Sequence, residues 1–90
     1  MFGLFSKSPE EKFIKELTGM IGKSVRSACK DAGDDEMLQG IFIMSAIGSC
    51  REASLNNAPQ MARQFNIPLH RVNQIIEFCI KESHNHYLEE

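Results

Sequence analysis

The chain has 90 residues, enough for one domain with a single modest core and too few for two. Hydrophobic residues make up 42% and charged residues 24%, which is ordinary for a globular protein and excludes a disordered chain or a fibrous repeat. Ten basic and twelve acidic side chains give a net charge of −2, so any nucleic-acid site must be a local patch.

The N-terminal segment, residues 1–7, carries three large apolar side chains, those of Phe2, Leu4 and Phe5. The run is too short for the hydrophobic region of a secretory signal. We expect these side chains to pack on the rest of the domain or on a partner. Association with a membrane surface is the alternative, although three apolar side chains anchor weakly without a second signal.

A first helix begins after Ser8, because Ser8 can cap it, Pro9 suits its first position and Glu11 completes a capping box. Apolar and small residues at helical spacing predict its buried face: Phe13, Ile14, Leu17, Met20, Ile21, Ser24, Val25 and Ala28. Cations share the opposite face: Lys12, Lys15, Lys23, Arg26 and Lys30. This stripe is either a solvated face or a surface that meets phosphates or anionic lipid.

The acidic run from Asp31 to Glu36 predicts a loop. Gly33 is suited to end the first helix, and Asp34 or Asp35 can cap the next one. The acids lack the spaced oxygen ligands of a calcium loop, so we assign them to capping and solubility.

No charged residue occurs from Met37 to Cys50, a stretch too short to span a bilayer. Ile41, Phe42 and Ile43 favour a strand, but no other segment could pair with one, so we predict a helix from Asp35 to Ser54. The apolar side chains of this helix point to almost every side of the helix axis. The helix therefore either crosses the middle of the bundle or meets its counterpart in a homodimer through residues 37–50, where small residues allow close approach: Gly40, Ser45, Gly48 and Ser49.

Three cysteines, Cys29, Cys50 and Cys79, lie far apart among apolar helical positions. We expect them to be reduced and buried, as in a cytoplasmic protein, because free cysteine behaves as a small hydrophobe. No CxxC pair indicates a zinc or redox site.

The stretch from Met61 to Ile76 has apolar and small residues where two helices crossing at a tight turn need them: Ala62, Phe65, Ile67, Val72 and Ile75. This spacing resembles the helix-turn-helix motif family, over about a quarter of the chain. Asn66 stands where the motif usually has a left-handed glycine, and Pro68 suits the first turn of the second helix. We place the motif at residues 57–83, with Asn56 or Asn57 as its cap and Pro59 in its first turn, followed by a frayed tail at residues 84–90.

The second helix of this motif would present four side chains to a major groove: Leu69, His70, Asn73 and Gln74. Asn and Gln can pair with adenine, Leu can touch a thymine methyl, and His can donate to a base or a phosphate. Arg63 and Arg71 flank them, and no acid occurs from Asn57 to Ile76, so this segment carries a charge of +2.

These features predict an all-α domain, a compact bundle of about four main helices with a C-terminal helix-turn-helix. The function they favour is DNA binding and transcription regulation in the cytoplasm, with double-stranded DNA as the partner. A helical adaptor that binds another protein, or associates with a membrane surface through its N-terminus, is the alternative. We predict no enzymatic activity, cofactor or metal site, because His84 and His86 lie in the tail with neither a nucleophile nor fixed ligands.

Overall fold

A computed structural model describes residues 8–88, and these residues form four helices and no strand. The helices are α1 (Pro9–Ala32), α2 (Glu36–Asn56), α3 (Ala58–Phe65) and α4 (Leu69–Leu88). The prediction of an all-α bundle of about four helices is confirmed. The predictions for Phe2, Leu4 and Phe5 concern residues outside the described part of the chain.

Local hydrogen bonds set the ends of α1. The Ser8 hydroxyl accepts from the amide of Glu11 at 3.1 Å, while the Glu11 carboxylate accepts from the amide of Ser8 at 2.9 Å. This is the predicted capping box. At the other end Gly33 has a φ of 68°, and its amide donates to the carbonyls of Cys29 and Lys30. The positive φ explains why glycine stands there.

The uncharged stretch 37–50 lies within α2, so a helix forms there and not a strand. Asp35 caps this helix, accepting from the amide of Leu38 at 3.0 Å. Its buried side faces the core through Ile43, Ile47 and Cys50. The opposite side is open, because four large apolar residues are between 40% and 76% exposed: Met37, Leu38, Ile41 and Met44. The helix therefore lies against the bundle and does not run through its middle.

The core draws on all four helices and includes Phe13, Ile21, Ile47 and Ile76, each at most 2% exposed. Five of the eight residues of the predicted face of α1 are buried, and the other three, Ile14, Met20 and Ser24, are partly buried. Within the described part of the chain, no helix combines the length and hydropathy that crossing a membrane requires.

The last helix extends past its predicted end near Ser83, as far as Leu88. Tyr87 and Leu88 pack against the core, with the Tyr87 hydroxyl beside Gly22 of α1. The residues that follow Ser83 are mostly polar, so the sequence does not indicate that the helix continues. Tyr87 nevertheless keeps the helical spacing of the buried residues before it. The prediction of a frayed tail at residues 84–90 is therefore corrected for residues 84–88, and the last two residues lie outside the described part of the chain.

Candidate nucleic-acid interface

Residues 66–68 connect α3 to α4 and turn the chain through one left-handed residue. Asn66 has φ 57° and ψ 50°, a conformation that Asn adopts more readily than most residues with a side chain. The following amide, that of Ile67, donates to the carbonyl of Ala62 at 3.0 Å. The carbonyl of Pro68 accepts from the amide of Arg71 at 3.0 Å. Hydrogen bonds on both sides of the turn thus fix where α4 begins.

Apolar packing holds this region against the rest of the bundle. The apolar positions predicted from the sequence all contact the core, the first two partly buried and the others buried: Ala62, Phe65, Ile67, Val72 and Ile75. The ring of Phe65 lies 5.2 Å from that of Phe13 in α1, tilted by 48°. This aromatic contact joins the end of α3 to the first turns of α1.

The six residues predicted to contact nucleic acid are all exposed: Arg63, Leu69, His70, Arg71, Asn73 and Gln74. Arg63 lies in the last turn of α3, and the others lie in the first two turns of α4. Leu69 is 45% exposed and is the one large apolar side chain among them. The start of α4 therefore presents amide, imidazole and guanidinium groups to solvent around one apolar side chain.

The fold places an acid beside one of the two arginines. The guanidinium of Arg71 donates to both carboxylate oxygens of Glu10, from Nε at 2.8 Å and from Nη2 at 2.9 Å. A third nitrogen, Nη1, donates to Oε1 of Gln74 at 3.2 Å. These bonds lower the pKa of Glu10 from its ordinary 4.5 and raise that of Arg71. The prediction of an acid-free basic segment is thus corrected, because Glu10 of α1 neutralises one of its two positive charges.

A second bidentate ion pair lies one helical turn beyond Asn73. Arg51 of α2 donates to Glu77 from Nε at 2.9 Å and from Nη2 at 2.6 Å. Both pairs are largely solvent-accessible, so each adds little to the stability of the fold. Their main effect is to place one carboxylate on either side of the exposed start of α4.

The cationic stripe of α1 lines a groove of about 900 Å³ that reaches the end of α3. Four cations border it: Lys12, Lys15, Lys23 and Arg26. Gly19, Met20 and Phe65 also line the groove, and Glu16 is the one acid among its lining residues. Because Phe65 precedes Asn66, this basic groove adjoins the turn that leads into α4.

The described residues contain no group of three histidine, cysteine or acidic side chains placed to hold a metal ion. Cys50 and Cys79 are buried, Cys29 is partly buried, and all three are free thiols. Burial raises the pKa of Cys79, which keeps its thiol protonated. Cys50 donates to the hydroxyl of Ser24 at 3.3 Å, so it packs within the structure.

No protein-family model, curated protein or solved structure matches this chain. The geometry and charge of its own residues therefore carry the functional argument.

Sequence reasoning did not identify Glu10 as part of this surface. Glu10 and Arg71 are 61 residues apart in the chain. An acid in the first turn of a helix is already explained by its favourable interaction with the helix dipole, so Glu10 does not call for a distant partner. No periodicity or motif signals the pairing. It arises because the first turns of α1 and α4 lie side by side.

Proposed function

We propose that α3 and α4 act as a helix-turn-helix that binds double-stranded DNA, in a protein that regulates transcription. The observation that carries the proposal is the exposure of Asn73 and Gln74 on a helix whose other side is anchored by Val72 and Ile75. Exposed amide side chains held on a rigid helix suit the reading of base edges.

The first two turns of α4 supply complementary chemistry for a major groove. Asn73 and Gln74 can each donate to and accept from an adenine, and Leu69 can contact a thymine methyl. His70 supplies a donor to a base or a phosphate. The Gln74 Oε1 accepts one hydrogen bond from Arg71 and has a second lone pair, so it can accept from a base while it keeps that bond.

Cations beside α4 would supply the phosphate contacts. Arg63 is exposed in α3, and the groove adjoining Phe65 adds Lys12 and Lys15. Arg71 contributes once it exchanges the Glu10 carboxylate for a phosphate, a ligand of the same charge sign and similar geometry. A chain that neutralises a few phosphates should bind DNA less tightly as salt is added. A plot of the logarithm of affinity against the logarithm of salt concentration should have a slope of about −2 to −4.

The test is a titration of fluorescent random-sequence duplex DNA, followed by duplexes enriched from that pool by repeated selection. We expect salt-dependent binding and an enriched sequence preference. Asn73→Ala with Gln74→Ala should remove the preference and retain most of the binding to random duplex. Binding that is absent, or a preference that survives both substitutions, would contradict the proposal.

A second candidate, a protein-binding adaptor, rests on one observation. The basic groove is lined by Met20 and Phe65, both partly buried, as well as by cations. Phosphates make no use of apolar lining, whereas an acidic amphipathic helix would use both features. Lys15→Glu with Lys23→Glu separates the two functions. Under the DNA proposal the substitutions weaken duplex binding, whereas under the adaptor proposal they abolish binding of a synthetic helix with Glu and Leu on opposite faces.

A further inference from the structure

The cations that border the basic groove of α1 carry charge that the fold leaves available. Their side chains are exposed, and within residues 8–88 they form no ion pair: Lys12, Lys15, Lys23 and Arg26. Arg51 and Arg71, by contrast, each hold a carboxylate in a bidentate pair. The groove is therefore positive on a chain whose net charge is −2, and it favours an anionic occupant.

Gly19 lies at the centre of these cations. Lys15 and Lys23 lie four residues before and after it, and Lys12 and Arg26 lie seven residues before and after it. At about 100° per residue, these offsets place all five positions within an arc of about 80° on one side of α1. The cations therefore extend for about 21 Å along the helix, on both sides of Gly19.

Contacts within the described chain account for Gly22 of α1 but not for Gly19. A Cβ on Gly22 would lie 3.3 Å from Nη1 of Arg26 and 3.6 Å from the Tyr87 hydroxyl, whereas nothing lies within 4 Å of a Cβ on Gly19. Glycine weakens a helix relative to alanine, and its lack of a side chain lets another backbone approach closely. The surface at Gly19 therefore suits close contact with a second helix.

An apolar cleft of about 330 Å³ between α1 and α3 adjoins the basic groove. Its apolar lining comes from both helices: Phe13, Leu17, Met20, Met61 and Phe65. Met20 and Phe65 line the groove as well, so an occupant of the groove can place an apolar side chain in the cleft. A phosphate backbone has no such group, and a fatty-acid anion carries charge at one end only. An acidic amphipathic helix has both an apolar face and acids spread along its length.

We propose that the basic groove binds an acidic amphipathic helix of a partner protein. The acidic face of that helix meets the cations, its backbone crosses α1 at Gly19, and its apolar face places a side chain in the cleft beside Met20 and Phe65. Acids about eight residues apart would face Lys15 and Lys23. This inference rests on the adaptor candidate above and is independent of DNA binding by α4.

Fluorescence anisotropy of the full chain with a labelled synthetic helix tests the proposal. The probe is an alanine-rich peptide of about 16 residues, with glutamates about eight residues apart on one face and leucines on the adjoining face. Gly19→Gln should weaken its binding at least tenfold and leave the domain folded, because the position is open and glutamine favours a helix. Gly48→Gln is the matched control, because Gly48 is also helical and open but lies in α2, and it should bind the peptide as the wild type does.

A second peptide separates charge from apolar contact. It has glutamine in place of each leucine, so it keeps its charge and its tendency to form a helix. Its affinity should be at least tenfold lower, because it has no side chain that suits the apolar cleft. Vesicles that contain phosphatidylserine test a lipid surface as the occupant, and they should not displace the leucine peptide.

Three results would overturn the proposal. They are a leucine peptide that does not bind, a glutamine peptide that binds equally well, and displacement of the peptide by the vesicles. A leucine peptide that binds Gly19→Gln as tightly as the wild type would overturn the contact at Gly19 and leave the adaptor candidate standing. Gly19→Gln retains all four cations, so it should bind random duplex DNA as the wild type does, and the DNA proposal is tested separately. Circular dichroism of each variant confirms that the helices are kept.

Discussion

Arg71 donates to both carboxylate oxygens of Glu10, at 2.8 and 2.9 Å, and so joins the first turn of α4 to the first turn of α1. The contact orients α4 and at the same time neutralises one of the two arginines between residues 57 and 76. Any anion that binds at the start of α4 must compete with the Glu10 carboxylate. Under the proposed function, Glu10 would limit how strongly Arg71 binds a phosphate.

Glu10→Gln should strengthen binding to duplex DNA several-fold at low salt. The substitution removes the competing charge from Arg71 and retains a neutral hydrogen-bonding side chain of similar size. The slope of log affinity against log salt should steepen by about one, the contribution of one added phosphate contact. Fluorescence anisotropy across a salt series measures both quantities.

Glu36→Gln is the control for this experiment, because it changes the net charge equally at the start of α2, away from Arg71. It should leave the salt slope as in the wild type. Equal effects of the two substitutions would mean that total charge, and not the Arg71 guanidinium, governs binding.

Asn66 should tolerate glycine and reject a β-branched residue. Its φ of 57° is open to glycine and costs a residue such as valine on the order of 1–2 kcal/mol. Urea unfolding should therefore show Asn66→Gly close to wild type and Asn66→Val less stable by about that amount. A valine variant as stable as the wild type would mean that the turn adopts another conformation.

Acid should weaken the two ion pairs of α4. Hydrogen bonds from Arg71 and Arg51 lower the pKa of Glu10 and Glu77 from 4.5 in the folded state. A lowered folded-state pKa contributes stability above pH 4.5, and that contribution is lost as the pH falls through the folded-state value. The melting temperature should thus fall below about pH 4.5, and Glu10→Gln with Glu77→Gln should show a shallower fall. Identical profiles would show that the two pairs contribute no measurable stability.

Deleting residues 84–90 should destabilise the domain by about 1–3 kcal/mol, because Tyr87 and Leu88 pack against the core. Deleting residues 89–90 alone retains both side chains and serves as the control. Urea denaturation of the two truncated chains measures the difference. Equal stability would support the frayed tail predicted from the sequence.

Structural features that depend on residues close together in the chain could be predicted from the sequence. The capping box at Ser8, the helix end at Gly33 and the left-handed Asn66 follow from the chemistry of single positions, and each occurs as predicted. The buried face of α1 follows from helical periodicity in the same way. Local rules succeed here because the groups that satisfy them are neighbours in the chain.

Contacts between residues far apart in the chain could not be predicted from the sequence. Nothing in the sequence pairs Glu10 with Arg71, or places Phe65 in the basic groove of α1, because both depend on how helices lie side by side. The end of α4 was missed for another reason. Asn85 and His86 are exposed and His84 is partly buried, so two partly buried residues, Tyr87 and Leu88, carry the continuing contact with the core.

Mapping the contact surface by NMR is the most direct test of DNA binding through the start of α4. Titrating labelled protein with a selected duplex should shift the backbone amides of residues 69–74 and the side-chain amides of Asn73 and Gln74. The chemical shifts of the backbone amides on the exposed face of α2, around Ile41, should not change. Shifts confined to α2 or to the Lys15–Lys23 part of α1, with Asn73 and Gln74 unmoved, would contradict it.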